Sequence, residues 1–556
     1  MSLFSTIKIP KPRRSVFDLS HTVKTTTEFG RLTPIMCEEV LPGDTFRLNS
    51  KVFARLAPMV FPVMANVQVY THFFFVPNRL LWDKWEEFIS GGEDGTSMPE
   101  PPRLRISDLY DAGYFKPGSL ADYLGLPVTA KRMNETPADE VSALPFKACA
   151  KIWNDYYRDE NLQSEIDIHT EQSGFINDSD TVAALGALRY RAWRKDYFTS
   201  ALPWPQRGVE MRLPLKGDEV SIPVTNVLSH TNGIGAQYRR LGSTGSWSSL
   251  TVAANNIHYE KDPEGGVSKL VGEIPDPNGG DNIAVELNIS SFGLTDPSTG
   301  AANIQGPTVN ELRRSIAIQE WFEASARAGA RYIEQLFAHF GVRSSDARLQ
   351  RAEYLGGGRS PVIISEVLQQ SQTTQGDTGS ALGTMAGHGV TAQATHGFKK
   401  YFEEHGFLIG FMSILPDAQY MQGISRMWTR MDKFDYAWPK LANIGEQEIL
   451  RRELYYEGED YEGNQSVFGY APRYAEYKYK PSTIHGDFRD TLKDWHLARI
   501  FENAPALNGD FITCDQLDTL NRVWAVDDGI HDHFWINISH QLRVKRALPY
   551  YGTPAI

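Results

Sequence analysis

The sequence predicts a mainly β protein, an antiparallel β-sandwich whose connections have grown into long helical and loop-rich insertions. Three observations carry this. Strand patterns fall at 35–41, 45–48, 67–76, 362–366, 407–415 and 534–538, clustered toward the two ends of the chain. Helical patterns at 148–159, 188–195 and 441–455 do not alternate with them in a βαβ rhythm, which argues against a parallel sheet. Early and late strands must share one core, and a sandwich is the most economical way to bring them together.

The stretch VQVYTHFFFVPNRLLWDKWEEFISGG, 67–92, shows the logic of the first half. At period two, Val67, Val69, Thr71, Phe73 and Phe75 share one face, while Gln68, Tyr70, His72, Phe74 and Val76 share the other. The second face begins polar and ends apolar, so the end of this strand is expected to be covered on both sides. Pro77 stops it, Asn78 is a candidate N-cap, and Leu81, Trp82, Trp85, Phe88 and Ile89 form the apolar stripe of a short helix that ends at Gly91. Trp82, Trp85 and Phe88 carry so much aromatic area that the helix must dock on the sheet or on a neighbouring subunit, which makes these three candidates for subunit contact.

Composition narrows the class. Hydrophobic residues make up 41% of the 556, enough for a large core, but the longest apolar run, near 407–415, is far short of the ~20 residues that span a bilayer. No membrane insertion is expected. The N-terminus lacks an uninterrupted apolar stretch after its charges, so the chain is expected to be made and kept in a cytoplasm. Cys37, Cys149 and Cys514 lie too far apart for a CxxC metal site and read as reduced, mostly buried thiols.

The net charge is −12, unevenly spread. Lys8, Lys11, Arg13 and Arg14 at one end, and Arg543, Lys545 and Arg546 at the other, stand without neighbouring side-chain acids. Tyr550 and Tyr551 join the second cluster, and aromatic rings beside cations suit single-stranded nucleic acid. Between 217 and 306, by contrast, ten acids face four bases, half of the chain's excess. Turn-rich runs such as PDPNGGDN interrupt short β-prone pieces there, so this segment reads as a projecting β insertion. Thr308 to Glu311 fits a capping box that starts a helix of about thirty residues. The chain thus divides into a basic arm (1–34), first strands with helical connections (35–204), an acidic insertion (205–306), and a final part with the long helix, the remaining strands and a basic tail (307–556).

Catalytic and metal motifs are weak. Gly356, Gly357 and Gly358 are followed by Arg359 and Ser360 rather than by the Lys and Ser/Thr of a phosphate loop, and read as a turn. His531, His533 and His540 could converge on a metal, but solvated or hydrogen-bonded histidines explain them better. Glu403 and Glu404 are adjacent, which on a strand turns them to opposite faces and makes them surface charge rather than a glycosidase pair. No catalytic residue, metal or cofactor is assigned.

The ordered blocks FDLSHTVKTT, TPIMCEEVLPGDTFRL, VYTHFFFVPNRLLWDKWEEFISGG, YLGGGRSPVIISEVLQQS, FEEHGFLIGFMSILPDAQY, FDYAWPKLANIGEQEI and FGYAPRYAEYKYKPSTIHGDFR resemble the major capsid protein of microviruses, closest to the gokushovirus branch. The resemblance spans nearly the whole chain and is weakest at 205–306. It implies a single jelly roll, assembled into a T=1 icosahedral shell around a circular single-stranded DNA genome in a bacterial virus. It further implies an internal scaffolding protein, a minor DNA-pilot protein, and threefold protrusions, built by 217–306, that meet a receptor on the host surface. On this basis the two basic clusters and Tyr550 and Tyr551 are expected to line the interior and hold DNA. The competing class is a β-sandwich that binds or hydrolyses carbohydrate through the acidic insertion.

Overall fold

The run TFRLNSKVFARL alternates without a break, and it forms one twelve-residue strand in which every even-numbered side chain from Phe46 to Leu56 is buried. In the computed structural model, residues 13–92, 96–128, 140–207, 236–240, 244, 248–249, 255–260, 269–274, 283–289, 309–328, 350–368, 385–394, 397–525 and 531–551 are described. The sandwich strands are β1 (Ser15–Asp18), β2 (His21–Thr27), β3 (Thr33–Val40), β4 (Thr45–Leu56), β5 (Val67–Pro77), β6 (Glu353–Pro361), β7 (Ile363–Leu368), β8 (Met385–Ala394), β9 (Phe398–Tyr401), β10 (Gly406–Pro416) and β11 (Phe534–Arg546).

Two antiparallel sheets result. One runs β11-β4-β8-β7, with β1 and β2 end to end along the outer edge of β11 and β9 beside the first half of β4. The other runs β6-β5-β10-β3. Their facing sides share a core in which Phe46, Leu48, Val52, Ile538 and Leu542 of the first sheet join Ile35, Val69, Phe73, Leu408 and Met412 of the second. The first and last strands of the chain meet here, β11 against both β2 and β4. Strands β4 and β11 both extend well beyond the 45–48 and 534–538 expected from sequence.

The second sheet is covered on its other side too. Phe74 and Val76 of β5 and Ile409 and Phe411 of β10 enter a second core with Trp82, Leu104, Phe146, Ile152 and Leu185 from the connection after β5. That connection includes the helices Leu144–Ile152 and Ser179–Gly186. The two-sided burial expected for the end of β5 is what the structure shows.

Elsewhere the expectations need correction. Asn78 caps no long helix: its carbonyl closes a single tight turn at Asn78–Leu80, and the helix proper is Trp85–Ser90, ended by Gly91 at φ 80°. No helix forms at 188–195. There the Arg191 and Trp193 amides donate to the Gly30 and Ile512 carbonyls, long-range bonds that replace intrahelical ones. The 441–455 helix is instead a strand, Glu446–Leu450, paired with Val467–Pro472, and then one turn at Arg451–Leu454. The glycine run is no turn either, since it lies within β6, with a bulge at Leu355 just before Gly356 and Gly357 paired flat against β5. A Cβ at Gly357 would sit 2.2 Å from the Thr71 carbonyl oxygen, so the pairing admits only glycine.

Residues Val209–Gln319 form a compact unit separate from the rest. Among its described residues are five antiparallel strands, Ala236–Arg240, Ser248–Ser249, Asn255–Glu260, Lys269–Ile274 and Ile283–Ile289, with Val271 and Ile274 buried. The helix that begins at Val309 is described to Ala328, and its expected continuation to 340 lies outside the described residues. All three cysteines are free thiols, two buried and Cys37 partly so. Among the described residues no helix is long and apolar enough to cross a membrane.

Candidate nucleic-acid interface

The strict alternation of β4 and β11 has a second consequence. Their odd-numbered side chains leave the sandwich and form an open face on the first sheet. Across it, Lys399, Arg47, Arg543 and Asp18 lie side by side on β9, β4, β11 and β1. Further along come Lys51, Ser539 and Thr22, then Phe53, Asn537 and Lys24, then Arg55, Trp535 and Thr26. At the opposite end Tyr401, Thr45, Lys545 and Val16 close the face.

Seven exposed cations, Lys24, Arg47, Lys51, Arg55, Lys399, Arg543 and Lys545, thus share one surface on a chain whose net charge is −12. Among the described residues none of the seven forms an ion pair with a carboxylate, although Asp18 lies opposite Arg543 in register. Like charges directly opposite one another destabilise a sheet. Arg47 beside both Lys399 and Arg543 is such an arrangement, and a polyanion would relieve it. Phe53, Tyr401 and Trp535 are exposed rings on the same face, with the Arg55 guanidinium 5.6 Å from the Phe53 centroid. A depression of about 560 Å³ runs between Thr22, Arg47, Asn49, Ser539, Gln541 and Arg543. Cations to meet phosphates, rings to stack on bases and amides to bond base edges are the parts of a single-strand binding surface.

The residues expected from sequence divide. Arg543 and Lys545 belong to this face, as members of a paired strand and not of a loose tail. Arg546 does not. Its Nε donates to Asp44 Oδ2 at 2.8 Å and its Nη2 to the Glu39 carbonyl at 2.6 Å, so it ties the end of β11 to the β3–β4 turn. Arg14 lies with its guanidinium 5.5 Å from the Tyr401 ring, and Arg13 is exposed. Tyr550 stacks on Phe17 at 6.0 Å, and Tyr551 stands edge-on to Tyr550. Lys8 and Lys11 lie outside the described residues.

Sequence reading missed Lys24, Arg47, Lys51, Arg55 and Lys399. For Lys51 and Arg55 the signal was present in the alternation through Leu56, which a strand cut at 48 discarded.

Trp82 is corrected outright. It is fully buried inside its own chain, its Nε1 donating to Ser173 Oγ at 3.1 Å, and so offers nothing to a neighbour. Trp85 and Phe88 are half-buried on the same intrachain core, with Trp85 edge-on to His405 at 5.6 Å. The buried part of their aromatic area helps close the second sheet.

The histidines separate as well. His533 and His540 are seven residues apart along one extended segment, roughly 23 Å, beyond the reach of a common ion. His540 Nε2 donates to the Ile35 carbonyl at 3.0 Å, which leaves Nδ1 to accept from Ser50 Oγ at 2.8 Å. Burial pushes its pKa down to about 4. His533 Nδ1 sits 2.7 Å from Glu28 Oε1. Glu404 accepts from Arg79 Nε at 2.6 Å, in the loop between β9 and β10 rather than on a strand.

Comparison with known proteins identifies the family of the chain. A family model described as capsid protein (F protein) matches residues 5–556. Capsid protein VP1 of Chlamydia phage 1 is 36% identical, with 100% of this chain and 97% of that one covered. Capsid protein VP1 of Bdellovibrio phage phiMH2K is 35% identical over 99% and 97% of the two chains. Capsid protein VP1 of Spiroplasma virus 4 is 30% identical over 100% and 97%. The chain belongs to the microvirus capsid (F protein) family, on its gokushovirus branch, with the structural role of a major capsid protein.

Proposed function

We propose that copies of this chain form a T=1 icosahedral shell around a circular single-stranded DNA genome, with the cationic face of β4 and β11 turned toward the DNA. The observation that carries the reading is the set of seven cations that have no carboxylate partner among the described residues, on a chain that is acidic overall. Each phosphate contact releases condensed counterions, so binding weakens with salt at a slope of about −0.7 per contact for single strands. Stacking on Phe53, Tyr401 and Trp535 adds roughly 1 to 3 kcal/mol per base by alanine substitution and reads no particular sequence, as a genome container requires. Arg13, Arg14, Tyr550, Tyr551, Lys8 and Lys11 are proposed to add to the hold on DNA. The sandwich is, on this reading, a single jelly roll.

The test is a variant with Arg47, Lys51, Arg55 and Arg543 all changed to Gln. These side chains face away from the core, so the chain should still fold while DNA per particle falls and the salt dependence of its retention flattens. Unchanged DNA content and unchanged salt sensitivity would refute the assignment.

The acidic segment 217–306, within the separate Val209–Gln319 unit, is proposed to form threefold protrusions that contact the host receptor. Deleting it should leave particles that assemble but do not adsorb to cells. An internal scaffolding protein during assembly and a minor DNA-pilot protein complete the proposed partners. The chain would be made in the bacterial cytoplasm and end in the virion.

A further inference from the structure

Among the described residues, a large exposed aromatic surface lies apart from both the cationic face and Trp85 and Phe88. It is the twelve-residue stretch MWTRMDKFDYAW, 427–438. Met427, Trp428, Met431, Phe434, Tyr436 and Trp438 are all at least half exposed, Trp428 at 70% and Met431 at 87%. Together they leave roughly 600 Å² of apolar surface in water, the upper end of what a monomer tolerates and close to the ~800 Å² that one partner contributes to a stable interface.

The stretch is built rather than loose. Arg430, itself mostly buried, holds Glu476 at 3.0 Å, and Arg426 donates to the Glu448 carbonyl at 2.7 Å. The amides of Met431 and Asp432 both donate to Asp435 Oδ2 at 2.8 Å, and Trp438 Nε1 donates to the Lys433 carbonyl at 2.8 Å. Such fixing lowers the entropy lost when a partner arrives.

We infer that the 427–438 stretch is a contact between copies of this chain in the shell, with Trp428 and Met431 at its centre. The occupant is a second copy and not DNA, for two reasons. Charge argues against DNA, since Asp432 and Asp435 offset Arg430 and Lys433 within the stretch and Arg430 is already paired with Glu476 at 3.0 Å. Two exposed methionines beside tryptophans match the composition of protein interfaces, where Met and aromatic residues are enriched. The area also matches a protein partner.

The inference rests on the shell reading, and the experiment separates the two. Wild-type chain is labelled by brief hydroxyl-radical exposure before and after particle formation, and oxidation at Met427 and Met431 is read by mass spectrometry. Tenfold or greater protection on assembly is expected. Equal oxidation in free chain and intact particles overturns the inference and leaves the shell reading untouched, whereas absence of particles from the wild-type chain counts against the shell reading itself. Partner identity comes from a Met431→Cys variant carrying a maleimide–benzophenone probe. A photoproduct joining two capsid chains supports the inference, and a product with DNA or another protein overturns it. Met431→Asp, at a position open to water, should leave the thermal midpoint of the free chain unchanged and cut particle yield at least tenfold. Wild-type yield from that variant overturns the inference.

Discussion

The two sheets of the sandwich use the same strand chemistry to opposite ends. In β4 and β11 every second side chain is buried and the others are exposed. In β5 and β10 nearly all are buried, because the helical connection closes the sheet from behind. A sheet covered on both sides can serve only stability. One covered on a single side has a face free for charge, and seven cations with no carboxylate partner among the described residues lie there. Tolerance of substitution should therefore divide by sheet and, within the first sheet, by face.

The sharpest test of that division is Phe74→Ala on β5, whose ring packs between Tyr156 and Tyr354 at 4.8 and 5.4 Å. A loss of ~3–5 kcal/mol is expected, read as a lower urea midpoint, while Phe53→Ala on the open face should shift it by less than about 0.5 kcal/mol. Equal effects would break the comparison. Arg543 and Arg546, three residues apart on β11, sharpen it. Arg546→Ala strands the buried Asp44 carboxylate and should cost about 3 kcal/mol, whereas Arg543→Ala should change DNA retention and leave stability alone. Gly357→Ala should cost ~1–3 kcal/mol through its clash with Thr71, measurable in the same titration.

Acid offers a subtler probe. Desolvation pushes the pKa values of partly buried His72 and fully buried His540 down to about 4, so the unfolded chain binds their protons more readily than the folded one. Their contribution to stability is complete above the unfolded value of ~6.5 and is lost as pH falls from there toward 4. Thermal midpoints across that window should decline, and a His72→Gln, His540→Gln double variant should decline less. The smallest expected effect is that of Arg47→Gln alone on stability, within about 0.5 kcal/mol, with one contact's worth of salt slope lost in DNA retention.

How far the fold was legible depended on what each segment contacts. Strands β3, β5 and β10 were placed within one or two residues, because continuous apolar runs bounded by Pro or Gly admit few readings. The helices at 188–195 and 441–455 were wrong because backbone partners distant in sequence, Gly30, Ile512 and the 467–472 strand, outcompeted local bonds. Arg543 and Lys545 were found by charge clustering. Lys24, Arg47, Lys51, Arg55 and Lys399 were not, since they are scattered over 376 positions and become neighbours only through strand register.

By itself the sequence determined the class, the alternation of the long strands, the charge asymmetry and the family, all properties carried by residue order or by neighbours along the chain. Tertiary structure decided that Trp82 closes an internal core, that Arg546 is a structural tie while Arg543 is free, and that cations from four strands form one face. The physical reason is that burial and electrostatics depend on distances in space. Those distances are fixed only when β2, β9 and β11 take their register with β4 and with one another.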